Sequence, residues 1–219
     1  MNNKKKTCEI IVGILKNIYP DAKCSLDYAN DPWKLLIMAI LSAQCTDARV
    51  NIVCRELFKK YPDAKSLSGA DITDVENIIR PCGMTKNKSK NIVLSSKRLM
   101  KKYNGDLPDN MDELLEFEGV GRKIANLLLG DLFDKPAIVA DTHCIRICGR
   151  LGMYKEDLKN PLKTELIMSK LIEPKEQADF CHRLVMFGRE TCTAKNPRCE
   201  NCPLSSYCKH FLNNQSSPV

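Results

Sequence analysis

The chain has 219 residues, 43% of them hydrophobic, with 34 Lys and Arg against 27 Asp and Glu and a formal net charge of +7. That is enough apolar material for one large domain or two small lobes, and it excludes an intrinsically disordered chain. No apolar run is long enough to span a bilayer and the polar start, Met1 to Thr7, has no secretory core, so the cytosol is expected, and the basic excess suits a polyanionic partner.

The periodicity is helical nearly throughout. Ile10, Ile11, Ile14 and Leu15 mark one face of a first helix. Asp31-Pro32 opens a second, with Asp31 as N-cap, running through Trp33, Leu36, Ile37, Ile40 and Leu41. Further helices are expected over Ala48–Lys60, Asp71–Ile79, Lys88–Lys102, Met111–Phe117 and Ile124–Leu132. Three more are expected over Thr142–Leu151, Leu162–Ile172 and Lys175–Phe187. No strand alternation and no repeat is present. The breaks are short and carry Gly, Pro, Asn and Asp, so the simplest architecture is an all-α fold of two closely joined helical lobes. The polar residues 213–219 are expected to form a disordered tail.

Twelve cysteines in a chain expected in the cytosol call for an explanation other than disulfides. Eight are scattered, most among apolar neighbours, and read as small buried hydrophobes. Cys192, Cys199, Cys202 and Cys208 are clustered as C-x6-C-x2-C-x5-C. The loop they span has little apolar material and needs a metal to organise it. Spacing alone leaves a four-thiolate zinc site and a [4Fe–4S] cluster comparable. Lys195 and Arg198 lie on the longest segment between these cysteines, where a metal-braced loop would present two cations to phosphates.

Leu114 to Ala125 reads LLEFEGVGRKIA. A helix end meets Gly119-Val120-Gly121 and a second helix begins, so backbone amides point outward at its start and form a phosphate site. The whole pattern is that of a helix-hairpin-helix, which grips DNA backbone without reading sequence. Lys123 sits in the first turn of the second helix. Asp141 follows within Val139-Ala140-Asp141-Thr142-His143, at a helix start where a carboxylate serves as N-cap, as a functional group, or as both.

Taken together, these residues resemble the endonuclease III family of DNA glycosylases. The resemblance runs from about Lys6 to His210 and is carried by Leu41-Ser42-Ala43-Gln44-Cys45-Thr46-Asp47, Gly119-Val120-Gly121-Arg122-Lys123, Asp141-Thr142-His143 and the clustered cysteines. It implies a [4Fe–4S] cluster rather than zinc. It also implies a six-helix barrel lobe at 23–133, an iron–sulfur lobe formed by 1–22 with 134–212, and an active cleft between them. Lys123 is then the nucleophile and Asp141 the carboxylate that steadies charge on the sugar. Gln44 fills the gap left by a flipped nucleotide, and Met84 stands in the place of an apolar wedge. Gly119, Val120, Gly121, Arg122, His143, Lys195 and Arg198 complete the DNA-binding set. The implied activity is removal of oxidised pyrimidines and cleavage of the abasic strand by a monomer acting on double-stranded DNA with damaged bases or abasic sites, in the bacterial cytoplasm and at the nucleoid.

The chain departs from the family pattern at three places. Glu118 replaces the proline usual before Gly-Val-Gly, Leu115 replaces a glutamate, and Thr85 stands where an aromatic is common. A carboxylate at position 118 is unfavourable beside a phosphate site unless it points away. The alternatives are a monofunctional iron–sulfur glycosylase for alkylated or mismatched bases and a non-catalytic DNA-binding module.

Overall fold

The structure, a computed structural model, describes residues 2–215. Twelve α-helices appear among them and no strand: α1 (Asn2–Ile18), α2 (Pro32–Leu41), α3 (Asp47–Lys60), α4 (Ala64–Ser68), α5 (Ile72–Ile79), α6 (Thr85–Tyr103), α7 (Met111–Leu114), α8 (Arg122–Phe133), α9 (Thr142–Arg150), α10 (Pro161–Leu171), α11 (Gln177–Glu190) and α12 (Lys209–Gln215). No helix of the described residues is long and apolar enough to cross a membrane. The chain divides into two compact units, one from Cys24 to Phe133 and one that joins the N-terminal residues up to Lys23 to the residues from Asp134 onward.

The first unit is organised around α2. Asp31 caps it, accepting a hydrogen bond from the Lys34 amide at 3.2 Å, and Pro32 supplies the preset first-turn φ. Its apolar residues continue all round the helix, so Trp33 and every residue from Leu35 to Leu41 are buried. A helix apolar on every side must be surrounded, and α3, α6 and α8 pack against it. The Trp33 indole donates to Ser96 Oγ on α6 at 3.0 Å, which satisfies the one polar atom its burial would orphan. Two helices escape simple periodicity. The five-residue α4 is fixed by a capping box in which Asp63 and Ser66 bond each other's backbone amides. The segment expected to be helical over Met111–Phe117 is helical only to Leu114, because the chain then turns through Phe117 toward Gly119.

In the second unit α1 lays Cys8, Ile11, Val12 and Leu15 into a core shared with Cys144, Ile147 and Cys148 of α9, Met168 and Leu171 of α10, and Phe180, Leu184 and Phe187 of α11. Arg183 is buried within this unit and is paired with Asp179 at 2.7 Å and Glu176 at 3.2 Å. Its buried charge is therefore compensated by two carboxylates at the rim of the core. The expected disordered tail is corrected in part. Residues 213–215 are the last turn of α12, which begins directly after Cys208, and residues 216–219 lie outside the described residues.

Leu36 is fully enclosed, so truncation leaves a cavity rather than a collapsed surface. Leu36→Ala is expected to lower unfolding free energy by ~2–5 kcal/mol, measured by denaturant unfolding against the parent chain.

Candidate functional site

Lys123, the hairpin, Gln44 and Met84 belong to the unit from Cys24 to Phe133, whereas Asp141, His143 and the clustered cysteines belong to the other. In the hairpin, Phe117 and Val120 are buried and the Val120 amide donates to Phe117 O at 3.0 Å. Gly119 has φ +85°, and a Cβ there would meet Asn91 Nδ2 of α6 at 2.7 Å. Both conformation and space therefore demand glycine. The Gly121 carbonyl accepts from the Ala125 amide at 3.0 Å, which starts α8. Gly121, Arg122 and Lys123 are all exposed at that start. The first amides of a helix have no partner within it, and with the helix dipole they attract an anion. Lys123 thus offers an amine beside a ready-made phosphate site.

The displacement of proline by Glu118 has a structural answer. Arg98 of α6 donates to Glu118 Oε1 from Nη2 at 2.9 Å and to Oε2 from Nε at 3.4 Å. Ser95 Oγ donates to the Glu118 carbonyl at 2.9 Å. The guanidinium holds the Glu118 carboxyl below the usual glutamate range. A carboxylate held this way is partly neutralised, and it ties the hairpin to α6.

Gln44 and Met84 are both exposed and both in the left-handed region, with φ of +53° and +50°. Gln44 lies in the turn from α2 to α3, and Met84 precedes α6. Non-glycine residues persist there only where their surroundings impose it, and such strain gathers at functional sites. Behind these turns lie Cys45 and Cys82, and burial together with the adjacent Cys45 pushes the Cys82 thiol up to about 11. Among the scattered cysteines, Cys8, Cys54, Cys82, Cys144, Cys148 and Cys181 are buried and Cys24 and Cys45 are half-buried, as expected of small core hydrophobes.

Asp141 is half-buried and caps α9, its Oδ1 accepting from the Cys144 amide at 2.7 Å while its second oxygen is not part of that bond. His143 Nδ1 lies 3.2 Å from Arg146 Nη2. That arginine reaches on to the Cys192 carbonyl, from Nη2 at 3.0 Å and from Nε at 3.2 Å.

Cys192, Cys199, Cys202 and Cys208 line one cavity, whose walls include Ile147, Leu151, Phe187 and Leu204. Four thiolates can supply one ligand to each iron of a four-iron cluster. The donor set and its largely apolar walls fit the cluster. Sequence reading missed what steadies this enclosure. Arg150 donates from Nη1 to Thr193 O at 2.7 Å and to Cys192 Sγ at 3.3 Å, and from Nη2 to Ala194 O at 2.9 Å. An arginine in the last turn of α9 gives no signal of that reach. Lys195 and Arg198 are exposed on the loop so held, and Arg198 also lines the cavity.

Comparison with known proteins agrees with this arrangement. Residues 37–174 match the family model of the HhH-GPD superfamily of base excision DNA repair proteins. Residues 192–208 match the iron–sulfur binding domain of endonuclease III. Endonuclease III of Synechocystis sp. is 40% identical over 95% of this chain and 94% of its own length. Endonuclease III solved in a non-covalent complex with DNA superposes with a TM-score of 0.90 at 37% identity, covering 97% of this chain and 99% of that one. A trapped covalent intermediate of endonuclease III with DNA gives 0.89 at 37% identity, covering 96% and 98%. The fold is that of an HhH-GPD base excision DNA repair protein. Within that class the chain belongs to the endonuclease III family, and its cofactor is a [4Fe–4S] cluster.

Two outcomes follow from these contacts. Because Glu118 has a depressed folded-state pKa, its pairing contributes stability above the unfolded value of about 4.3 and loses it as pH falls through the folded value. Arg98→Met is expected to raise the Glu118 carboxyl toward the ordinary range in an NMR titration and to weaken binding to undamaged duplex several-fold. Arg150→Met leaves two carbonyls and a thiolate without their donor, a loss of ~1.5–3 kcal/mol per charged hydrogen bond. Its visible iron–sulfur absorption is expected to bleach on the order of tenfold faster than the parent's in the presence of chelator.

Proposed function

We propose that this DNA glycosylase and abasic-site lyase of base excision repair removes oxidised pyrimidines from double-stranded DNA through a Schiff base on Lys123. The observation that carries the reading is the exposed Lys123 amine in the first turn of α8, directly after the glycine hairpin. The hairpin amides hold backbone phosphate while the amine stands beside it. The solved covalent endonuclease III–DNA intermediate, 37% identical to this chain, supports a covalent route.

A base in the stack shields its glycosidic bond, so the damaged nucleotide is first extruded. The unprotonated Lys123 Nζ attacks C1′ of the sugar. The C1′–N bond breaks with its electron pair leaving on the base, which takes up a proton. The Asp141 carboxylate, capping α9 through one oxygen, stabilises the positive charge that develops on the sugar. Nζ then gives up a proton, the C1′–O4′ bond opens with its electron pair and a proton going to O4′, and the resulting iminium between Lys123 and C1′ acidifies the C2′ proton. Loss of that proton expels the 3′ phosphate, and water then hydrolyses the iminium and frees the lysine. Gln44 faces the orphaned base and Met84 enters the stack. Arg122, His143, Lys195 and Arg198 supply phosphate contacts. Cys192, Cys199, Cys202 and Cys208 would hold the cluster, which would add to the bracing of the Lys195–Arg198 loop and to the electrostatic field at the DNA surface. The enzyme acts as a monomer in the bacterial cytoplasm, at the nucleoid.

Lys123→Ala is expected to lose base release by at least ~10³-fold and all borohydride trapping on a thymine-glycol duplex, with duplex affinity changed by no more than a few-fold. Asp141→Asn keeps the helix cap, since Asn caps as well as Asp. Its single-turnover rate is expected to fall ~10²–10⁴-fold with little change in melting temperature. Base release without trapping in the parent enzyme would instead mark a monofunctional glycosylase.

A further inference from the structure

Residues 86–90 read Lys-Asn-Lys-Ser-Lys at the start of α6. Lys86 and Lys90 are exposed, as a run of lysines on a helix surface should be. Lys88 is 3% exposed, and its ammonium donates to the Cys82 carbonyl at 2.8 Å. Burying an ammonium is unfavourable unless a good acceptor meets it, so this bond serves a local need. That need is evident in the turn it closes. Gly83 (φ +67°) and Met84 (φ +50°) are consecutive left-handed residues, and they leave Met84 half-exposed with no side-chain cap at the start of α6. Two further bonds surround the turn: the Gly83 amide donates to Arg80 O at 3.2 Å and Thr85 Oγ1 to Glu76 Oε1 at 3.0 Å. Thr85, one of the departures from the family pattern, thus serves as a tether to α5.

We propose that Lys88 is a positioning residue for base excision, its buried ammonium clamping the Cys82 carbonyl so that the strained Gly83–Met84 turn presents Met84 to the base stack. The proposal rests on the reading of Met84 as the wedge. Lys88 touches neither DNA nor the reacting atoms; it removes the alternative conformations that a flexible, solvent-exposed methionine turn would otherwise sample. An off-site clamp of this kind alters how fast a nucleotide is extruded and leaves chemistry on an already abasic site largely unchanged.

The test is a double-mutant cycle with Lys88→Met, which keeps the buried bulk and removes the donor, and Met84→Ala. Rates are expressed per molecule able to form a borohydride-trapped adduct, so loss of folded protein does not enter. Nucleotide extrusion is followed by stopped-flow fluorescence of 2-aminopurine placed opposite thymine glycol. Each single variant is expected to slow extrusion and base release roughly tenfold, and Lys88→Met is expected to keep lyase activity on a preformed abasic site within about twofold of the parent. The double variant is expected to be no slower than Met84→Ala alone. If Lys88→Met fails to accumulate as folded protein, the same cycle is run with Lys88→Gln. An unaltered Lys88→Met beside an impaired Met84→Ala would overturn the clamp and leave the wedge standing. An unaltered Met84→Ala would overturn the wedge and the clamp with it. Fully multiplicative losses in the double variant would overturn the clamp, since Lys88 would then act independently of Met84.

Discussion

The conformation of Gly119 is the constraint from which the hairpin and its neighbouring lysine follow. With φ at +85° and no room for a Cβ against Asn91, the chain reverses within three residues, and Gly121 starts α8 at one defined point. That point decides which residues fall in the first helical turn. Lys123 is one of them, and so are the amides that a phosphate would meet. A side chain at position 119 would strain the backbone at φ +85° and press on the Asn91 side chain. α6 contributes three supports to the same corner: Asn91 beside Gly119, Ser95 on the Glu118 carbonyl and Arg98 on its carboxylate. The long, mostly polar α6 therefore braces the hairpin through its middle turns and, near its start, bonds the Cys82 carbonyl through Lys88.

In the other unit arginines do comparable work. The four-cysteine loop has almost no core of its own, and Arg146 and Arg150 of α9 reach out of a well-packed helix to bond its carbonyls. The same helix is capped by Asp141. A single nine-residue element thus carries the proposed catalytic carboxylate at one end and the anchors of the cluster loop along its length. Such an arrangement couples the integrity of the cluster loop to the rigidity of the element that holds Asp141. It does so through hydrogen bonds and requires no electron transfer.

Much of this was legible in the sequence, for definite reasons. α2 announced itself through Asp31-Pro32 and an unbroken apolar run, and α9 through Asp141 before an apolar-periodic segment. The hairpin and the cysteine cluster were legible because glycine and cysteine have few reasons to occur at such spacings. What stayed hidden depends on contacts distant in the chain. α4 is too short for periodicity and hangs on the Asp63–Ser66 capping box. α6 begins three residues before its apolar pattern, because left-handed Met84 leaves no cap residue to read. The burial of Lys88 and the reach of Arg150 look like ordinary surface charges until the carbonyls they serve are in place. The carboxylate of Glu118 looked like a defect beside a phosphate site because Arg98 lies twenty residues away.

In the proposed reaction one amine, at position 123, becomes covalently joined to the sugar. Its most direct test is to reduce the enzyme with borohydride during turnover on a thymine-glycol duplex, digest the adduct, and locate the modified residue by mass spectrometry. A single nucleotide-bearing peptide is expected, with the added mass on Lys123. An adduct on another lysine or on the N-terminal amine, with Lys123 unmodified, would contradict it.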